Sequence, residues 1–124
     1  MGEVTLERAE DLLLTARSIL EGDRVAGIAG LSYQAVEAAA VHLIKIVNGH
    51  DPGGHYKRAA RASELLHLCK DEMERLWKLR NIDFYGNELV GEPERSIGLD
   101  EAKDSLETAM RLVAQVKSLL AEVL

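Results

Sequence analysis

The sequence predicts an all-α fold, an up-and-down antiparallel bundle of four to five helices that forms a single domain over residues 1–124. Three observations predict it. Residues 25–47 carry apolar side chains at helical spacing, with charge confined to Glu37 and Lys45. Aromatic residues make up 4% of the chain and hydrophobic residues 47%, so the core must be built from Leu, Ala, Val and Ile, which suits helices better than sheets. No stretch alternates with period two for long enough to make a strand, and glycine-bearing breaks part the chain into amphipathic segments.

The first helix is expected over Leu6–Leu20. Thr5 suits its N-cap, and Glu7 falls in the first turn, where the helix dipole favours an acid. Its apolar stripe reads Leu6, Ala9, Leu12 or Leu13, Ala16, and Ile19 or Leu20. Glu21-Gly22-Asp23 breaks the chain, with Gly22 suited to a left-handed C′ position and Asp23 to capping the next helix. The second helix carries Val25, Ile28, Leu31, Ala35, Ala39, His42 or Leu43, and Ile46 on one stripe, with Val36, Ala40, Leu43 and Val47 beside it. A helix apolar nearly all round must be covered on several sides, and its alanines let neighbouring backbones come close. It is therefore expected at the centre of the bundle, ending at Asn48 with Gly49 as its C′ residue. His50–Gly54 is a loop. The third helix is expected over His55–Leu68, marked by Tyr56, Ala59, Ala60, Ala62, Leu65 and Leu66. The fourth is expected over Lys70–Tyr85, with Met73, Leu76, Trp77, Arg80 and Phe84 inward; residues 68–70 read equally as a break or a continuation. Gly86–Gly98 is a second loop. The last helix runs from Leu99 or Asp100 nearly to Leu124, with Ala102, Leu106, Ala109 or Met110, Val113, Val116, Leu120 and Leu124 inward.

A net charge of −6 argues against generic binding to a nucleic-acid backbone, which calls for a basic footprint, but leaves room for a local basic site. The single cysteine, Cys69, permits no internal disulfide and fits a reducing cytoplasm. No signal peptide is visible. Ser32, Gln34, Glu37, His42 and Lys45 within the long apolar stretch favour a buried helix over a membrane span. No nucleophile elbow, dinucleotide fingerprint or phosphate-cradling loop is present, and no cofactor is expected.

Two short stretches could carry chemistry. Arg80-Asn81-Ile82-Asp83-Phe84-Tyr85-Gly86 closes the fourth helix. Read plainly, it is a helix end in which Arg80 pairs with Asp83, Tyr85 packs its ring and Gly86 caps. Read functionally, Arg80 holds a phosphate. The second stretch is His55-Tyr56-Lys57-Arg58 with Arg61. The three cations fall on roughly one side of a helix and could hold phosphate, or pair with local acids such as Glu64. No histidine shows metal-ligand spacing; His67, Cys69 and Glu72 come nearest to a metal set, and no metal site is expected. His42 and Cys69 read as buried core residues.

The order of these features resembles the HEPN domain family. Ser32-Tyr33-Gln34-Ala35-Val36-Glu37-Ala38-Ala39, followed by Leu43-Ile44-Lys45 and Gly49, resembles that family's second helix. His55 and Glu64-Leu65-Leu66 fit the next helix, Arg80-Asn81 fits the family motif, and Ala102 and Ala109 fit the last helix. The resemblance spans nearly the whole chain and rests on the order of loose motifs. It implies a helical bundle that forms a homodimer. It also implies kinship with metal-independent ribonucleases, often toxins paired with a nucleotidyltransferase antitoxin. In that family an Arg steadies the phosphate, and a His that follows after four to six intervening residues moves protons. Here Arg80, Asn81 and Asp83 stand in the motif region, but Tyr85 occupies the place of the His. Tyrosine's ordinary pKa is near 10 against about 6.5 for histidine, which makes it a poor proton shuttle at neutral pH. The resemblance thus implies a non-catalytic or weakly active module that binds RNA, a nucleotide or a protein partner through a cleft at Arg80. The alternative is an active endoribonuclease toxin.

Overall fold

The computed structural model describes residues 2–49, 53–66, 69–86 and 96–123; the side chains of residues 2–5, 55, 66, 69 and 123 fall outside that description. The described chain is all-helical: α1 (Gly2–Glu21), α2 (Ile28–Asn48), α3 (His55–Leu66), α4 (Cys69–Tyr85) and α5 (Leu99–Val123). Among the described residues there is no strand, and no helix is long and apolar enough to cross a membrane.

Helix α2 is the centre, and the other four helices all touch it. The alanines explain how. Ala29, Ala35, Ala39 and Ala40 of α2 and Ala9 and Ala16 of α1 are at most 1% exposed. With no side chain beyond Cβ at these positions, neighbouring helices approach closely. Larger groups fill what remains: Leu43, Met73, Leu76, Leu112 and Val116 in one cluster, and Ile28, Leu79, Ile82, Ile97 and Leu106 in the other. Each such side chain contributes about 1.5–3 kcal/mol by leaving water. His42 is buried with them.

The ends of the elements depart from expectation in instructive ways. Helix α1 begins at Gly2, so Thr5 lies inside it and is not its cap. After α1 the left-handed residue is Asp23 (φ 59°), not Gly22. Asp23 therefore closes α1 and cannot cap α2, which starts later, behind Gly27 (φ 98°). Gly49 ends α2 as expected, left-handed at φ 87°, its N–H donating to the Lys45 carbonyl at 2.8 Å. Gly86 closes α4 in the same way, donating to the Ile82 carbonyl at 2.9 Å. Of the expected loops, residues 50–52 and 87–95 lie outside the described residues, as do residues 67–68 at the α3–α4 junction.

The inward face of α4 also differs. Met73, Leu76, Leu79 and Ile82 are buried, whereas Phe84 is 39% exposed. These positions step by three, so the core stripe winds round α4. Its C-terminal half turns Leu79 and Ile82 toward Ile97, Ala102 and Leu106. Tyr56 stands exposed against the Trp77 ring, and Ile46, Val47 and Met110 are likewise exposed, so none of the four belongs to the core.

Candidate functional site

The winding of α4 leaves Arg80 half-buried beside α2. Its guanidinium carbon lies 5.8 Å from the centre of the Tyr33 ring and 5.5 Å from that of Tyr85. A cation over two ring faces gains about 0.5–2 kcal/mol per ring, the more so when water is excluded. Arg80 Nη1 donates to Asn81 Oδ1 at 3.1 Å, and Asn81 is itself buried. Arg80 Nε is buried with no hydrogen-bond acceptor among the described residues. Among the described residues no carboxylate forms an ion pair with Arg80.

The expected Arg80–Asp83 pair does not form. Asp83 turns the other way, and its two carboxylate oxygens accept the backbone N–H groups of Gly27 (2.9 Å) and Gly30 (2.8 Å). The first turn of α2 has unpaired N–H groups and no side-chain cap of its own, and Asp83 supplies that cap from α4. Asp83 is therefore a fold residue beside the site. Phe84 rests on the same turn, its ring filling the space that a side chain at Gly30 would occupy. The Phe84 and Tyr85 rings meet edge to face at 6.3 Å.

Tyr33 is 3% exposed, and its hydroxyl donates to Glu37 Oε2. Burial pushes its pKa well above the ordinary phenol value, and the hydrogen bond to Glu37 and that carboxylate's charge push the same way. Arg80 and Arg58 both favour the phenolate and are outweighed. The other carboxylate oxygen of Glu37 pairs with Arg58 Nη1 at 3.3 Å. One continuous polar chain thus runs from Tyr85 through Arg80, Tyr33 and Glu37 to Arg58. It joins the two stretches singled out in the sequence.

The remaining cations of the second stretch do not join this chain. Arg61 is held by Asn48 Oδ1 at 2.8 and 3.2 Å and by Glu64 at 2.5 Å, the local pairing expected of it. Lys57 is exposed, and the side chain of His55 lies outside the described residues. So do His67 and the side chain of Cys69.

Tyr33 and Glu37 were missed as site residues. The available signal was their spacing of four on a helix whose only other charged side chain is Lys45. No protein-family model, curated protein or solved structure matches this chain.

Proposed function

We propose that this protein is a HEPN-like homodimer that binds RNA or a nucleotide at Arg80 without cleaving it. One observation carries the reading. In a chain of net charge −6, the half-buried Arg80 guanidinium has no carboxylate partner among the described residues, because Asp83 is committed to α2. Tyr33 and Asn81 hold the guanidinium in place, and a planar guanidinium presents paired donors that match phosphate oxygens. Tyr85 and Phe84, 44% and 39% exposed, offer faces on which a base can stack. The resemblance to HEPN domains supports a homodimer in which a second copy of the chain brings both Arg80 groups to one cleft. Absence of catalysis follows from the chemistry of Tyr85 in the place of histidine.

Titration of the purified protein with uridine monophosphate and with oligouridylate tests the reading, read by calorimetry and fluorescence anisotropy. Binding is expected in the wild type, falling at least tenfold in Arg80→Ala, with Arg80→Lys intermediate because it keeps charge but not the planar fork. No binding of either probe, or equal binding in Arg80→Ala, overturns it. Light scattering should give twice the chain mass of 13.7 kDa. The Tyr85 ring against Arg80 favours one second reading, the endoribonuclease toxin with a nucleotidyltransferase partner. Metal-free RNA cleavage by the wild type that vanishes in both Arg80→Ala and Tyr85→Phe would establish that reading instead.

A further inference from the structure

We infer that the groove between α1 and α5 is a self-association surface, on which a second copy of this chain docks about a two-fold axis crossing α1 between Leu13 and Leu14. The inference stands apart from the Arg80 reading, because none of the residues lining the groove takes part in that site. The groove has a volume of about 390 Å³, and Leu13, Leu14 and Val113 make its apolar middle. Leu14 is 59% exposed, and Met110 of the same groove is exposed too. A lone exposed apolar residue needs no explanation, but here two stand together over an apolar floor.

The charge pattern decides which partner fits. At one end of the groove Lys117 Nζ pairs with Glu10 Oε1 at 2.8 Å, and at the other Arg17 Nη2 lies 3.8 Å from Met110 Sδ. The two helices therefore run antiparallel, each lining the groove for about 10 Å at 1.5 Å per residue. Among the described residues Glu10 has no second ion pair, and Arg17 has no carboxylate partner. Glu10 and Arg17 lie at equal distances on either side of the Leu13–Leu14 midpoint. A two-fold axis at that midpoint stacks α1 antiparallel on its own copy. It sets Glu10 of each copy opposite the partner's Arg17 and brings the two Leu14 side chains together at the centre. The same axis sets Met110 against the partner's Lys117, whose methylene stem covers apolar surface while its charge stays in water. Self-complementarity of this kind is what an isologous contact requires, with the same patch serving on both copies. The contact is two turns long, which puts it among small, reversible interfaces.

The experiment is light scattering of the full-length protein from about 10 μM to about 1 mM, the range in which small interfaces dissociate. The mass is expected to rise from two toward four times the chain mass of 13.7 kDa as concentration rises. Leu14→Glu should hold it at the lower value throughout. Arg17→Glu and Glu10→Lys should each weaken the association at least tenfold, since each sets like charges opposite one another twice. An equal mixture of these two variants should recover it, because each offers the charge that the other needs. Recovery on mixing separates a specific register from a folding defect. A Leu14→Glu mass that follows the wild type at every concentration overturns the inference, and so does a mixture that associates no better than its parts. If the wild type stops at a dimer that Leu14→Glu turns into a monomer, this face stands and the shared Arg80 cleft falls.

Discussion

The carboxylate of Asp83 accepts the N–H of Gly30 at 2.8 Å, and through its other oxygen it caps Gly27 as well. A single residue near the end of α4 thus fixes the start of the central helix and turns away from Arg80, three residues earlier on the same helix. The site and the fold are set by one choice of rotamer.

Asp83→Ala removes both bonds and leaves the first turn of α2 uncapped. A lost cap costs about 0.5–2 kcal/mol, and bonds to a charged group are at the upper end of such values. A loss of about 1–3 kcal/mol is expected in urea unfolding, with Asp83→Asn losing less because one oxygen remains as acceptor. Nucleotide binding per folded molecule should change much less than in Arg80→Ala. A variant as stable as the wild type but unable to bind would put Asp83 back among the ligand-binding groups.

Gly30 and Phe84 make a second coupled pair. A Cβ at position 30 would lie 2.1 Å from Phe84 Cζ, an impossible contact, so the ring must leave its seat. Gly30→Ala alone should destabilise by about 1–3 kcal/mol, as overpacking does. In a Phe84→Ala background the clash is gone, and alanine gains up to about 1 kcal/mol over glycine inside a helix. The sign of Gly30→Ala should therefore reverse in the double-mutant cycle. Additive effects would mean that the ring does not occupy this notch.

Much of the architecture was legible in residue spacing. The alanine-rich pattern of residues 25–47 required cover on several sides, and α2 has it. Gly49 and Gly86 signalled helix ends because a left-handed residue there favours glycine. What local pattern could not show were choices settled between helices. Asp83 looked like the partner of Arg80 because they are three apart on one helix, yet two unpaired backbone N–H groups of α2 compete for the same carboxylate and win. Asp23 looked like a cap because of its type, and instead takes the left-handed turn itself. Arg58 and Arg80 lie more than twenty residues apart, and only the packing of α3 and α4 against α2 brings both to the Tyr33–Glu37 pair.

Ser32 offers a test of packing without a cap or a clash. It is 0% exposed on α2, and among the described residues its hydroxyl has no hydrogen-bond partner. Burying an unpaired hydroxyl costs about 1–3 kcal/mol, and alanine is the better helix former. Ser32→Ala should therefore leave stability unchanged or raise it by about 1 kcal/mol, measured as a shift in the urea midpoint at constant slope. A loss above about 1 kcal/mol would show that the hydroxyl has a partner in solution.

Tyr33 gives the fold a dependence on alkaline pH. Its native pKa is raised, chiefly by burial and then by Glu37, while in the unfolded chain it titrates near the ordinary value of about 10. Below that pH both states hold the proton, and stability is unaffected. Above it the unfolded chain releases a proton that the native state keeps, so the unfolded state gains and stability falls, by up to about 1.4 kcal/mol per pH unit, until the native phenol itself ionises. Tyr33→Phe lacks this decline but also lacks the hydrogen bond to Glu37, worth about 1 kcal/mol. Wild type should therefore be the more stable at pH 7, and the gap should close as pH passes about 10. Urea melts of both proteins across pH 7–11 measure it; curves that stay parallel would show that the Tyr33 proton is no harder to remove in the native state than in the unfolded one.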